Sequence, residues 1–149
     1  ANRIQLWDDQ HRAAVRLEVQ AGADAILLIA RMLDADTLAE LYRLAKSFQL
    51  GVLLEIHDEP DLDKALEAGA SLLGVNNRDL DTSVVDPELT FRLREKVPAD
   101  LPLVAESGIE SHEQLLRLAR ESVCAVLVGE HFMRQSDVEQ AVRDLRDER

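Results

Sequence analysis

Five short apolar runs recur along the chain, each followed by a segment with helical spacing, and this rhythm constrains the fold more than any other feature. The runs are AGADAILLI from Ala21, GVLLEI over Gly51 to Ile56, AGASLLGV from Ala68, Leu101 to Ala105, and Cys124 to Val128. Each is too short for a typical helix and unbroken in hydrophobicity, which predicts strands buried on both faces. Between them, Asp36 to Gln49 carries Leu38, Leu41, Leu44 and Ala45 at helical spacing, with Asp34 or Asp36 as cap. Further helices are predicted over Glu59 to Glu67, with Pro60 in the first turn, and over Pro87 to Lys96, Ser111 to Ala119 and Ser136 to Arg146. Strand and helix alternate at roughly 20 to 30 residues, the spacing of βα units joined by right-handed crossovers in a parallel sheet. The fold class is therefore α/β. Five such units fit either an open doubly wound sheet or part of a closed (β/α)8 barrel, and eight units typically need about 250 residues, more than the 149 present.

Residues 1–20 stand apart from this rhythm, and residues 21–149 hold all five units. In the first segment Asp8 or Asp9 can cap a helix whose Ala13, Ala14, Val15 and Leu17 face a core, while Ile4, Leu6 and Trp7 suggest no element. Aromatic residues make up only 3%, so Leu, Val, Ile and Ala must build the core, and no aromatic platform for stacking bases is on offer. The net charge of −12 opposes nucleic acid and anionic membranes at long range. An anionic substrate would have to be held by local donors. Cys124 is the single cysteine, which excludes an internal disulfide and suits a reducing, cytoplasmic setting. No run approaches the eighteen or so apolar residues of a membrane span, and the first residues lack the pattern of a secretory leader. His11, His112 and His131 form no metal-ligand spacing, so neither a metal nor another cofactor is expected.

Polar residues gather where the apolar runs stop: Glu55 with His57, Asn76 with Arg78 and Asp79, Glu106 with Ser107, and Gly129 with Glu130. Parallel strands joined by helices bring their carboxyl ends to one side of the sheet, where ligands bind in α/β folds. A charge inside a buried strand costs several kcal/mol if unpaired, so Glu55 and Glu106 point to function more than to a structural ion pair. Asn76 could serve a turn, and Asn77, Arg78 and Asp79 taken alone read best as a self-satisfied loop. His57 reads as a capping or loop histidine. Ser107 has no adjacent His and Asp for a triad. Gly108 and Gly129 each end a strand just before a helix start, where backbone N–H groups and the positive end of the helix dipole favour an anion, and the obvious guest is a phosphate.

Taken in order, GADAILLI, LLEIHDE, GVNNRDL, VAESGI and AVLVGEHFM resemble the second half of the indole-3-glycerol-phosphate synthase family, from about Ala21 to the C-terminus. The resemblance implies that the five strands are the fourth to eighth of a TIM barrel, so the chain would be a partial (β/α)8 barrel. It implies a decarboxylating ring closure in tryptophan biosynthesis, in which carboxyphenylamino-deoxyribulose phosphate becomes indoleglycerol phosphate with loss of carbon dioxide and water. By the same resemblance Glu55 matches the general base, Asn76 the side chain that positions the substrate, and Glu106 the active-site glutamate. Ser107, Gly108, Gly129 and Glu130 match the loops that wrap the phosphate, with Arg78 counted among the substrate-binding residues. Ring closure needs a proton given and a proton removed, so acid and base must meet on one face.

Two departures qualify the likeness. The family takes its general-acid lysine from the third strand and a further lysine from the first, whereas Lys46, Lys64 and Lys96 of this chain all fall in predicted helices. The chain alone is therefore expected to be a very poor synthase, the alternative being a non-catalytic partial-barrel folding or oligomerisation domain. His131 stands where the family usually has a small residue. Five-eighths of a barrel would also leave edges at Ala25 to Ile29 and Cys124 to Val128. A second copy, a complementary barrel fragment or the first twenty residues would have to cover them.

Overall fold

The computed structural model describes residues 3–147, with side chains described from residue 11 onward. Its elements are α1 (Arg3–Gln20), β1 (Ala25–Ile29), a 3-10 turn (Ala30–Met32), α2 (Ala35–Ser47), β2 (Gly51–Ile56), α3 (Glu59–Glu67), β3 (Leu73–Asn76), α4 (Leu89–Arg94), β4 (Leu103–Glu106), α5 (His112–Arg120), β5 (Ala125–Leu127), α6 (Glu130–Met133) and α7 (Val138–Arg146). The five strands form one parallel sheet in sequence order, β1-β2-β3-β4-β5. This is the α/β alternation expected of successive βα units. The strand Gly51–Ile56 and the helix Glu59–Glu67 fall where the sequence places them.

The chain divides into two compact units, residues 1–73 and 74–149. In the first, β1 pairs with β2 from Ala25 opposite Gly51 to Ile29 opposite Glu55. Leu28, Leu38, Leu41, Leu54, Ile56 and Leu62 form its core. Each such side chain contributes on the order of 1.5–3 kcal/mol when fully buried. Helix α2 starts at Asp34, whose carboxylate accepts from the Thr37 N–H at 2.8 Å. It stops at Ser47, before Gln49, which adopts a left-handed backbone.

In the second unit Leu93, Val97, Leu103, Ala105, Ile109 and Leu118 are buried together with Thr90. Strand β4 pairs with β5 from Val104 opposite Ala125 to Glu106 opposite Leu127. Helix α5 is opened by Ser111 and Gln114 in a reciprocal capping box. Helix α4 is shorter than the predicted Pro87 to Lys96, because Asp86 takes up the Glu88 and Leu89 N–H groups in a turn before the helix begins.

Several expectations are corrected. Helix α1 runs from Arg3 straight through Asp8 and Asp9, so neither caps it, and Ile4, Leu6 and Trp7 lie inside it. Of the predicted core face only Val15 is buried. Ala13, Ala14 and Leu17 are exposed, because the inward stripe runs through His11, Val15 and Val19 at i, i+4 spacing. The strands β2, β3 and β4 are buried as read; β1 and β5 are the edges expected of a five-unit part of a barrel, so their apolar runs are not buried on both faces, with Leu27 45% and Leu127 51% exposed. Cys124 is likewise exposed. Among the described residues no helix is long and apolar enough to cross a membrane.

Candidate functional site

Within the second unit, the residues after β3 are organised by Asn77 rather than by Asn76. Asn77 is buried; its Oδ1 accepts from the Thr90 N–H at 3.1 Å and the Thr90 hydroxyl at 2.8 Å, and its Nδ2 donates to the Ser107 carbonyl at 3.0 Å. Asn76 Oδ1 accepts from the Arg78 N–H at 3.0 Å, an Asx turn. Asp79 Oδ1 accepts from Asp81, Thr82 and the Thr82 hydroxyl. The loop is thus largely self-satisfied, as its composition suggests. Arg78 is the exception. One guanidinium nitrogen donates to the Ser83 carbonyl at 2.9 Å and another reaches across to Glu130.

Strand β4 ends on Glu106, which is buried, and the chain then takes two successive left-handed residues, Ser107 (φ 64°) and Gly108 (φ 72°). A side chain at Gly108 would be strained by its backbone and would also meet Val85 Cγ1 at 2.4 Å. Gln114 pins this turn by donating from Nε2 to the Gly108 carbonyl at 3.2 Å, while its Oε1 takes up the Glu110 and Ser111 N–H groups. The Glu110, Ser111 and Gln114 N–H groups are thus used within the helix cap. Gly129 differs: nothing lies within 4 Å of where its Cβ would stand. It caps α6, a four-residue helix that the sequence does not announce and that is too short to carry much of a dipole.

These turns line one cleft of about 530 Å³, walled by Arg78, Ser107, Gly108, Gly129, Glu130 and Arg134. Glu130 pairs with both Arg78 and Arg134. With Glu110 also on the lining, two arginines face two glutamates, so the wall is balanced in formal charge and less hostile to an anion than the −12 of the whole chain. The five residues Arg78, Ser107, Gly108, Gly129 and Glu130 read from the sequence are brought together here; Arg134 and His131 were missed, although Arg134 stands four residues after Glu130 on one turn. On the outer side of the same unit, the Arg117 guanidinium bonds Glu88 at 2.5 and 2.6 Å and holds its carboxyl below the usual carboxylate range. Arg92 does the same for Asp86 at 2.6 Å.

In the first unit Glu55 lies at the end of β2 and is only 4% exposed. His57 lies in the bend between β2 and α3, as read, and is buried beside Glu55, with Nε2 3.2 Å from Glu55 Oε1. Asp61 sits on the far side of the ring, where its Oδ2 accepts from the His57 backbone N–H at 3.2 Å and its Oδ1 pairs with Lys64 at 3.1 Å. The lysines are elsewhere engaged or placed. Lys64 donates to the carbonyls of Ala30 and Leu33, Lys46 is on the last turn of α2, and Lys96 follows the end of α4. Among the described residues no group of three His, Cys, Asp or Glu side chains could hold a metal ion.

Solved structures with the same fold include a thiamine phosphate pyrophosphorylase from Pyrococcus furiosus and KGPDC from Streptococcus mutans. The first has TM-score 0.68 at 22% identity over 89% of this chain and 62% of that one. The second has TM-score 0.68 at 12% identity over 92% of this chain and 65% of that one. Parallel βα units with these neighbours define a protein of the TIM-barrel class, of which the chain carries five units. Within that class the family model for indole-3-glycerol phosphate synthase matches residues 11–145, and the chain belongs to that family. It is 52% identical over 126 residues to the indole-3-glycerol phosphate synthase of Nautilia profundicola, covering 85% of this chain and 49% of that protein. The corresponding enzyme of Campylobacter fetus is 46% identical over 127 residues, again 85% of this chain and 49% of that protein. The chain spans about half the length of the curated relatives it matches.

Proposed function

We propose that the chain is the phosphate-binding and base-bearing part of an indole-3-glycerol phosphate synthase, acting in the cytoplasm in the decarboxylating ring closure of tryptophan biosynthesis. The observation that carries the reading is the cleft of the second unit, where the left-handed Ser107–Gly108 turn and the open face of Gly129 stand beside the Arg78 and Arg134 guanidiniums. Backbone turns of this kind, backed by arginine, suit a phosphate ester. In this reading Ser107, Gly108, Gly129 and the main chain of Glu130 receive the substrate phosphate together with the Arg78 guanidinium, Asn76 positions the substrate, Glu55 removes the proton that restores aromaticity, and Glu106 is the further active-site carboxylate.

The general acid is what this chain does not provide on a strand. Lys64 is tied to Asp61 and two carbonyls, and Lys46 and Lys96 belong to the helical side of their units. We therefore expect little turnover from the chain alone, and activity when a fragment bearing the first three strands is supplied. The same fragment, or a second copy, would cover the edges β1 and β5, where Leu27 and Leu127 are exposed. Those edges also favour a second reading, a non-catalytic partial-barrel domain that oligomerises. No cofactor, nucleic acid or membrane enters either reading.

The test is turnover of carboxyphenylamino-deoxyribulose phosphate by the chain with and without that fragment, and with Glu55→Gln. Rescue that is lost in E55Q supports the synthase reading. A defined oligomer that neither turns over the substrate with the fragment nor is stabilised by inorganic phosphate, measured against chloride at equal ionic strength, would sink it. Binding to the native state should raise the melting temperature with phosphate concentration relative to its dissociation constant.

A further inference from the structure

Inside the first unit an imidazole stands between two carboxylates. His57 Nε2 is 3.2 Å from Glu55 Oε1, and His57 Nδ1 is 3.7 Å from Asp61 Oδ2, with all three side chains at most 5% exposed. Ionised carboxylates only accept hydrogen bonds, so a neutral ring would turn the lone pair of one nitrogen toward a carboxylate oxygen. Burial makes that repulsion expensive. The conflict is removed by one additional proton on the line, either on the ring, giving two N–H groups, or on one of the carboxyls.

The surroundings favour holding Asp61 as the fixed end. Lys64 Nζ is 3.1 Å from Asp61 Oδ1 and is itself anchored to the Ala30 and Leu33 carbonyls at 2.5 and 3.2 Å. Arg31, from the 3-10 turn, lies 3.8 Å from Asp61 and 3.3 Å from Asp58. Strand β1 is AILLI and brings no ionisable group, and the buried face of α2 is Leu38, Leu41, Tyr42 and Ala45, with the Tyr42 hydroxyl bonded to Ser71. Glu55, Asp58, Asp61, Arg31 and Lys64 are charged groups of the first unit gathered around His57.

We propose that His57, whose backbone N–H is held by Asp61, is the positioning residue of Glu55: it faces the Oε1 side of the carboxylate and shares one proton with it. Only the His57 Nε2–H and Glu55 Oε1–H bonds form and break as that proton is shared, and the cluster neither gains nor loses a proton. The role rests on the reading of Glu55 as the proton-transferring group, and makes its readiness depend on a histidine and an aspartate that need not touch substrate.

The test uses the full chain labelled with 15N in histidine rings and 13C in glutamate carboxyls, with Glu55 and His57 assigned from E55Q and H57N. The Glu55 carboxyl and the His57 ring should report the same two inflections, as interacting sites do. Asp61→Asn and His57→Asn should each change the Glu55 inflections, because each removes a group of the cluster that holds the shared proton. A single Glu55 midpoint, unchanged in D61N, overturns the proposal. If both variants fail to fold, the joint or separate inflections of the unsubstituted chain decide it. With the complementary fragment present, H57N should shift the pH–rate profile more than the KM, and an unshifted profile in a mixture that E55Q inactivates overturns the positioning role while leaving the synthase reading intact. Turnover surviving E55Q overturns the acid–base reading and not the shared proton, which the titration decides.

Discussion

The Asn77 side chain donates to the carbonyl of Ser107 at 3.0 Å, so the loop after β3 holds the turn after β4 by a buried amide. The same amide oxygen receives both donors of Thr90, which is fully buried. The geometry of the Ser107–Gly108 turn is thus set by a side chain from the preceding βα unit.

Asn77→Ala should cost about 2–4 kcal/mol of stability, because it strands the Thr90 N–H, the Thr90 hydroxyl and the Ser107 carbonyl in the interior. Urea unfolding monitored by circular dichroism reads this directly. A loss under about 1 kcal/mol would mean that solvent reaches these groups.

Gly108→Ala and Gly129→Ala should separate architecture from binding. At Gly108 the left-handed backbone and the contact with Val85 predict a loss of about 1–3 kcal/mol. At Gly129 a methyl enters open space, so stability should stay within about 0.5 kcal/mol while stabilisation by phosphate shrinks. Thermal melts of both variants, with and without phosphate, check the pair. Equal stability losses would contradict the distinction.

Glu130→Gln should tighten phosphate binding, since Glu130 neutralises the Arg78 and Arg134 guanidiniums. Calorimetric titration should give a gain of roughly 2- to 5-fold near 10 mM salt that fades as the Debye length shortens at high ionic strength. Weaker binding by E130Q would place the carboxylate among the groups that hold the ligand.

Asp34→Ala should lower stability by about 1 kcal/mol at neutral pH by removing the cap of α2. Hydrogen bonds from Thr37 hold the Asp34 carboxyl below its ordinary 3.8. A folded-state value below the unfolded one stabilises above about pH 4 and is lost as pH falls through the lowered value. The gap between the chain and D34A should therefore close in acid, and a gap that persists at pH 2 would assign the effect to helix propensity instead.

The apolar runs and their spacing were enough to determine the βα rhythm, since a two-face-buried strand and an amphipathic helix leave different periodicities in the chain. That is why Gly51–Ile56 and Glu59–Glu67 are legible residue by residue. The motifs E-x-H, N-N-R-D-L, E-S-G-I and V-G-E carried the family, and they named five residues, Arg78, Ser107, Gly108, Gly129 and Glu130, that line one cleft. Five units of an eight-unit barrel marked β1 and β5 as edges, but how far their side chains are exposed was not legible in AILLI and AVL, because hydrophobicity records what a side chain is and not how many neighbours it has. Nor was the pairing of Glu130 with Arg78, which are 52 residues apart.

What the sequence alone determined is the succession of units and the chemistry available at their ends, because both follow from local pattern and residue type. Only the tertiary structure decided that Asn77 braces Ser107, that Gly108 has no room for a side chain while Gly129 has, and that His57 is enclosed between Glu55 and Asp61. Each of those depends on distances of a few ångströms between segments remote in sequence or turned by an intervening helix cap, and such distances are fixed by packing rather than by composition.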